Sequence, residues 1–298
     1  MKNKKTWILS LLLPLLIGVV SCGGTNSTSS STTSTTTSST DSSTTSLTTS
    51  MSSTTTDDYY FDIYNPDGYY DDALYKTGHE LKESLRTILS TDHNETTYGD
   101  LRYYFVDSDA DPDNPGNIIL FYCRCSVSGT WDFGNTFNRE HIWPQSLGGF
   151  KVNNSSTGPG ADLHHIRPTD PRVNEIRGNK PFGVRTSEFT TVTYNDHGTN
   201  KIAGYECGSC FEPLDEVKGD IARIIMYLIV RYNDLETRFS NRSTTPIVDC
   251  SYETLLEWNR LDPVDDLERH RNDFTYSVQN NRNAFIDNPE FADLIWRQ

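Results

Sequence analysis

The sequence predicts an α+β fold for the part of the chain able to build a core. Three observations carry this. "GHELKESLRTILS" (Gly78–Ser90) sets Leu81, Leu85, Ile88 and Leu89 on one stripe at helical spacing. "EVKGDIARIIMYLIVRYND" (216–234) is apolar nearly all round, as a helix at the centre of a core is. Between them, "NIILFYCRCSV" (117–127) and "TFNREHIW" (136–143) are short runs of β-formers, each read as a strand.

The first 56 residues contribute nothing to that core. Lys2, Lys4 and Lys5 precede an apolar run from Ile8 to Val20, which marks residues 1–21 as a signal peptide. The run is too short and too interrupted by Pro and Gly for a spanning helix. It ends in "VVSC", which looks like a bacterial lipobox with Cys22 as the lipidated first mature residue. From Thr25 to Thr56, every residue except Asn26, Asp41, Leu47 and Met51 is Ser or Thr. Such a segment has no apolar face to offset its ordering entropy, so residues 22–56 are expected to be a disordered stalk. Residues 57–298 are expected to form one domain.

Within that domain, Pro144 and Gly148-Gly149 end the second strand and open a loop rich in turn residues, "KVNNSSTGPG". "ADLHHIRP" (161–168) is expected to return as a strand beside it. Asp170 then caps a short helix with Pro171 at its first position, ended by Gly178 or Asn179. "SYETLLEWNRLD" and "PEFADLIW" read as later helices. Asn281, Arg282 and Asn283 read as structural hydrogen-bonders, and Trp143 as core.

The net charge is −15, and loss of the three leader lysines takes it to −18. That excludes a generally basic polyanion binder and leaves room only for a local basic cleft on an acidic body. Five cysteines follow Cys22: Cys123, Cys125, Cys207, Cys210 and Cys250. Disulfides suit an exported chain, zinc remains open, and the odd count leaves one without an internal partner.

Glu140 and His141 are adjacent where a strand ends, and Asn174 lies one turn into the short helix. Side chains of neighbouring strand residues diverge. A carboxylate and an amide oxygen suit a hard cation such as Mg²⁺, and an imidazole suits a general base near neutral pH. Together they can make a hydrolytic site for a phosphodiester. His164 and His165, on the expected returning strand, would face opposite ways, the inward one buried. Asp162 would orient a neighbour or pair with an arginine.

"NREHIWPQS", "DLHHIRPTDPRVNEIRGNKPFG", "KGDIARIIMYLIVRY", "DPVDDLERHRND" and "VQNNRNAFIDNPEF", in this order, resemble the bacterial endonuclease I family from about Tyr75 onward. The resemblance implies a ββα-metal (His-Me finger) core surrounded by helices. It also implies a sugar-nonspecific endonuclease acting on DNA and RNA with Mg²⁺; the chain itself is expected to be a monomer. It makes Glu140 and Asn174 the metal ligands and His141 the general base. An arginine on the scissile phosphate is expected from Arg177 or Arg167, with Arg139 as a further candidate. With Cys22 lipidated, the enzyme would be an extracytoplasmic, membrane-anchored lipoprotein or a secreted protein. Two other classes remain at this point: a zinc hydrolase built on His141, His164 and His165, and a non-enzymatic surface lipoprotein such as an adhesin.

Overall fold

The computed structural model describes residues 63–185, 187–240 and 252–297. The leader, Cys22, the Ser/Thr stretch and Cys250 lie outside the described residues. Helices α1 (Gly78–Ser90) and α2 (Leu101–Ser108) come first, then strands β1 (Asn117–Ile119), β2 (Ser126–Ser128) and β3 (Asn138–His141). α3 (Gln145–Gly148), β4 (Ile166–Thr169) and α4 (Pro171–Arg177) form the centre. Strands β5 (Thr190–Asp196), β6 (Thr199–Glu206) and β7 (Phe211–Glu212) follow. The chain then runs through helices α5 (Asp215–Arg231), α6 (Asn233–Ser240), α7 (Tyr252–Leu261), α8 (Asp266–Gln279), α9 (Ala284–Asp287) and α10 (Phe291–Trp296). The fold is α+β, as expected.

Helix α5 is the axis of the core. Every residue from Val217 to Val230 is buried, and α1, α6, α7 and α9 pack around it. Each of its buried Ile, Leu and Val side chains contributes roughly 1.5–3 kcal/mol by leaving water. α1 turns Leu81, Leu85 and Leu89 inward, as its spacing predicts. Arg223, fully buried on α5, joins α7 and α8 by bonding Asn259 at 3.2 Å and Glu268 at 2.5 Å.

A second, smaller core of Leu101, Phe105, Ile118, Leu120, Val127, Phe137, Leu163 and Ile166 underlies the centre of the molecule. Here β3 and β4 pair antiparallel, with Glu140 opposite Arg167 and His141 opposite Ile166. α4 packs on β3. Asp170 caps α4 by accepting the N–H of Val173, with Pro171 at the first turn and Gly178 (φ 56°) just past the end. The order is strand, loop, strand, short helix.

Three local expectations are corrected. The run 117–127 is a hairpin rather than one strand, because the backbone reverses at Arg124 in the left-handed region (φ 51°) and β2 pairs back on β1. The loop after Pro144 holds a helical turn, α3, closed by Gly149 at φ 70°. The returning strand begins at Ile166 instead of Ala161. Asp162 makes a turn there: its carboxylate accepts the N–H of His164, and its carbonyl accepts those of His165 and Ile166. His164 and His165 therefore do not alternate across a strand, and both are buried.

Among the described cysteines, Cys207 and Cys210 are bridged, while Cys123 and Cys125 are thiols. Asn281, Arg282 and Asn283 are buried hydrogen-bonders, as expected. Asn281 donates to Tyr227 Oη, Arg282 holds Asp273 and Asp287, and Asn283 caps α9.

Candidate active site

A groove of about 360 Å³ crosses the end of β3, and Arg139, Glu140, His141, Gln145 and Asn174 line it. Neighbouring side chains on a strand diverge. Glu140 and His141 nevertheless reach one groove because β3 stops at His141.

The His141 ring is held on several sides. Its Nε2 lies 3.0 Å from the Gly160 carbonyl oxygen. That oxygen can only accept, so Nε2 carries the proton and Nδ1 keeps the lone pair. Nδ1 is 3.5 Å from the side-chain nitrogen of Gln145. Tyr98 stacks on the ring at 5.3 Å, Phe150 lies tilted at 5.8 Å, and His165 meets it edge-on at 5.4 Å. Burial, then the nearby His165, lowers the His141 pKa to about 3, so the imidazole is neutral at physiological pH.

Glu140 is 2 % exposed. Its Oε1 accepts the Tyr122 hydroxyl at 2.7 Å and lies 3.2 Å from Arg177 Nη1. Burial pushes the carboxyl up, while Arg177 and the Tyr122 hydrogen bond act to keep it ionised. The backbone N–H of His141 also acts to keep the carboxylate ionised. Across the groove, the Asn174 amide nitrogen donates to Asn138 Oδ1 at 2.8 Å, which leaves the Asn174 oxygen as the uncommitted atom. Two hard oxygens with their other atoms tied down suit Mg²⁺, which takes one or two protein groups and fills the rest with water and phosphate oxygens.

The two arginines expected at the phosphate sit deeper. Arg177 is fully buried, gives Nη1 to the His141 carbonyl and Nη2 to that of Ile142, and lies over Phe182. Arg167, 2 % exposed, lines a separate small cavity with Asp109, Arg124, Asp220 and Glu268. Arg139 is the arginine that lines the groove.

The neighbouring histidines are committed to the scaffold. His165 bridges the Pro159 carbonyl through Nδ1 (2.6 Å) and the Trp143 N–H through Nε2 (2.9 Å), which leaves no lone pair for a metal. His164 Nε2 holds the Asn281 carbonyl. Asp162 orients neighbours rather than pairing with an arginine: it accepts the hydroxyls of Tyr227 and Tyr232 and the amide of Gln279. Trp143 is core.

The endonuclease I family profile matches residues 77–290. The chain belongs to the endonuclease I family. It is a nuclease by that membership. It is 41 % identical over 239 residues to an extracellular ribonuclease of Bacillus subtilis (strain 168), covering 77 % of this chain and 78 % of that one. It is 39 % identical over 237 residues to an extracellular ribonuclease of Bacillus amyloliquefaciens, covering 76 % and 78 %.

Of the residues that line the groove, sequence reasoning singled out Arg139, Glu140, His141 and Asn174 and missed Gln145, together with four residues that hold them in place: Tyr98, Tyr122, Asn138 and Gly160. Asn138 had a signal. It lies two residues before Glu140 on β3 and so shares its face. Tyr122 and Gly160 had none, because each arrives from a distant loop.

Proposed function

We propose that this chain is a divalent-metal-dependent endonuclease that hydrolyses phosphodiester bonds in DNA and RNA with an external water. One observation carries the reading: a neutral imidazole whose Nδ1 keeps its lone pair, met at a long 3.5 Å by the Gln145 amide, beside the Glu140 carboxylate and the Asn174 amide oxygen in one groove. Glu140 Oε2 and Asn174 Oδ1 would hold Mg²⁺. When bound, the ion supplies neutralisation of the charge on the phosphate and on the leaving oxygen.

The rest is done by the chain. His141 Nδ1 takes the proton of the attacking water, and its Nε2–H stays on the Gly160 carbonyl, which supports the imidazolium that forms. Arg139 meets the phosphate. Burial argues against a direct phosphate contact for Arg177 and Arg167. Arg177 instead fixes Glu140 and the end of β3. Arg167 stands opposite Glu140 on β4. An external nucleophile needs no 2′-hydroxyl, and phosphate contacts carry no sequence information.

The test is digestion of supercoiled plasmid and of a structured RNA with Mg²⁺ and with EDTA. The reading expects both to be cut with Mg²⁺ and neither with EDTA. A second reading, confined to RNA, is favoured by the printed names of the two Bacillus relatives; it expects an intact plasmid.

The same reading makes the protein an extracytoplasmic monomer, anchored through lipid on Cys22 and held off the membrane by its Ser/Thr stalk. Cys22→Ala is expected to abolish metabolic lipid labelling and release activity into the medium. Unchanged labelling removes the anchor from the account.

A further inference from the structure

We propose that a strip of rings and guanidinium groups leading outward from His141, through Tyr98, Arg139, Trp131 and Arg102 to Tyr103 and Phe133, binds unpaired nucleotides of the substrate strand. The proposal rests on the endonuclease reading of the adjoining groove and names its preferred substrate as single-stranded nucleic acid.

The strip is continuous from His141 to Tyr103, and Phe133 follows Trp131 by two residues in the adjoining turn. Tyr98 stacks on His141 with their planes 29° apart. The Arg139 guanidinium lies 3.7 Å over the Tyr98 ring and 5.5 Å from that of Trp131. Arg102 in turn is 5.7 Å from Trp131 and 4.8 Å over Tyr103.

Its charge is unspent. Arg86, Arg124, Arg177, Arg223 and Arg271 each pair with a carboxylate. Arg102 and Arg139 have no carboxylate within 4 Å among the described residues; Arg167, Arg172, Arg231, Arg238 and Arg269 share that property, but Arg139 is the one that lines the groove, where its Nη1 donates to the Tyr98 carbonyl, and the Arg102 Nε is buried without a hydrogen-bond partner. In a chain of net charge −15, two such cations beside the catalytic groove are where a polyanion is attracted.

Its outer rings are open. Tyr103 is 56 % exposed and Phe133 is 92 % exposed. Phe133 sits at φ 64°, a conformation that a bulky residue rarely adopts and that tends to mark functional positions. The turn holding it there is fixed: Asp132 accepts the N–H groups of Asn135 and Thr136 and the Thr136 hydroxyl. The backbone that carries this exposed apolar ring is thus fixed.

Arginines for phosphates and rings for base faces are the two parts of a single-strand binding surface. A duplex can offer its phosphates to the arginines, but its base faces are stacked on one another and cannot meet Tyr103 or Phe133. The strip therefore discriminates by strandedness and tolerates any base.

The experiment is fluorescence anisotropy of the full chain in EDTA, where binding is read without cleavage. The probe is a labelled 12-nucleotide deoxyoligonucleotide of mixed sequence, alone or annealed to its complement. The wild type is expected to bind the single strand at least about tenfold more tightly than the duplex. Tyr103→Ala/Phe133→Ala should weaken single-strand binding about tenfold or more, from base stacking worth ~1–3 kcal/mol per base, and duplex binding less than twofold. A thermal unfolding scan checks that the variant is folded. Equal single-strand affinity in variant and wild type, or equal weakening for both probes, overturns the strip. A wild type that discriminates in this way but cuts nothing with Mg²⁺ supports the strip and overturns the endonuclease reading.

Discussion

The Nε2 of His141 and the carbonyl oxygen of Gly160 lie 3.0 Å apart, and this one hydrogen bond decides which ring nitrogen can act. The carbonyl reaches the ring because residue 160 has no side chain. A Cβ there would come within 2.5 Å of Val152 and 2.9 Å of Phe150. Gly160→Ala is expected to move the carbonyl and lower kcat about 10–100-fold, since small misplacements of catalytic groups cost on this scale. Half-maximal Mg²⁺ concentration should stay unchanged. Steady-state kinetics over a Mg²⁺ titration checks both.

Asn138 settles the orientation of the Asn174 amide. Asn138→Ala removes the acceptor that holds the Asn174 nitrogen away from the groove. The expected outcome is a metal requirement raised about tenfold or more, with kcat largely restored at saturating Mg²⁺, as for groups that orient metal ligands. A fall in kcat that no Mg²⁺ concentration repairs would show that Asn138 does something else.

Arg177 and Glu140 are a buried ion pair, and removing one member leaves the other charge uncompensated. Arg177→Met should cost about 3–5 kcal/mol, read from the urea midpoint. Adding Glu140→Gln should recover part of that loss, because the two sites share one interaction. Additive losses in the double variant would mean that the pair is not coupled.

Burial lowers the pKa of both His164 and His165 to about 4, from an ordinary value near 6.5. The unfolded chain therefore binds more protons than the folded one between those values. The stability that they contribute is fully present above pH 6.5 and is lost as pH falls through about 4. Urea midpoints measured from pH 7.5 to 4 should carry a decline below pH 6.5 from these two sites, set against the opposite pull of buried Glu268, whose carboxyl is raised to about 8. His165→Asn, which keeps a donor and an acceptor, should flatten part of that decline.

Much of this molecule was legible in the sequence because its signals are local. α1 and α4 follow from spacing and capping, and the burial of α5 from an apolar surface without a polar face. Glu140, His141 and Asn174 were legible as donor types at a strand end and on a helix. What escaped lacks a clear contrast between buried and exposed faces. The β5–β6 hairpin turns at His197-Gly198, both at positive φ, and its polar, exposed strands show little contrast between faces. α2 and α8 carry weakly segregated apolar residues, and the buried residues of α8 are mostly polar, such as Glu268, Arg271 and Asn272. For the arginines, sequence spacing shows that Arg177 follows Asn174 by one turn, but not that its guanidinium engages Glu140 and three carbonyls.

The most direct test compares cleavage of one sequence made as RNA and as DNA, both single-stranded, by the full chain and by His141→Ala with Mg²⁺. The account predicts that the wild type cuts both. It predicts that the variant, folded by circular dichroism, loses a common factor on each, on the order of 10²–10⁴ for loss of a general base. Cleavage of the ribo strand alone, or a variant as fast as wild type, would contradict water activation by His141.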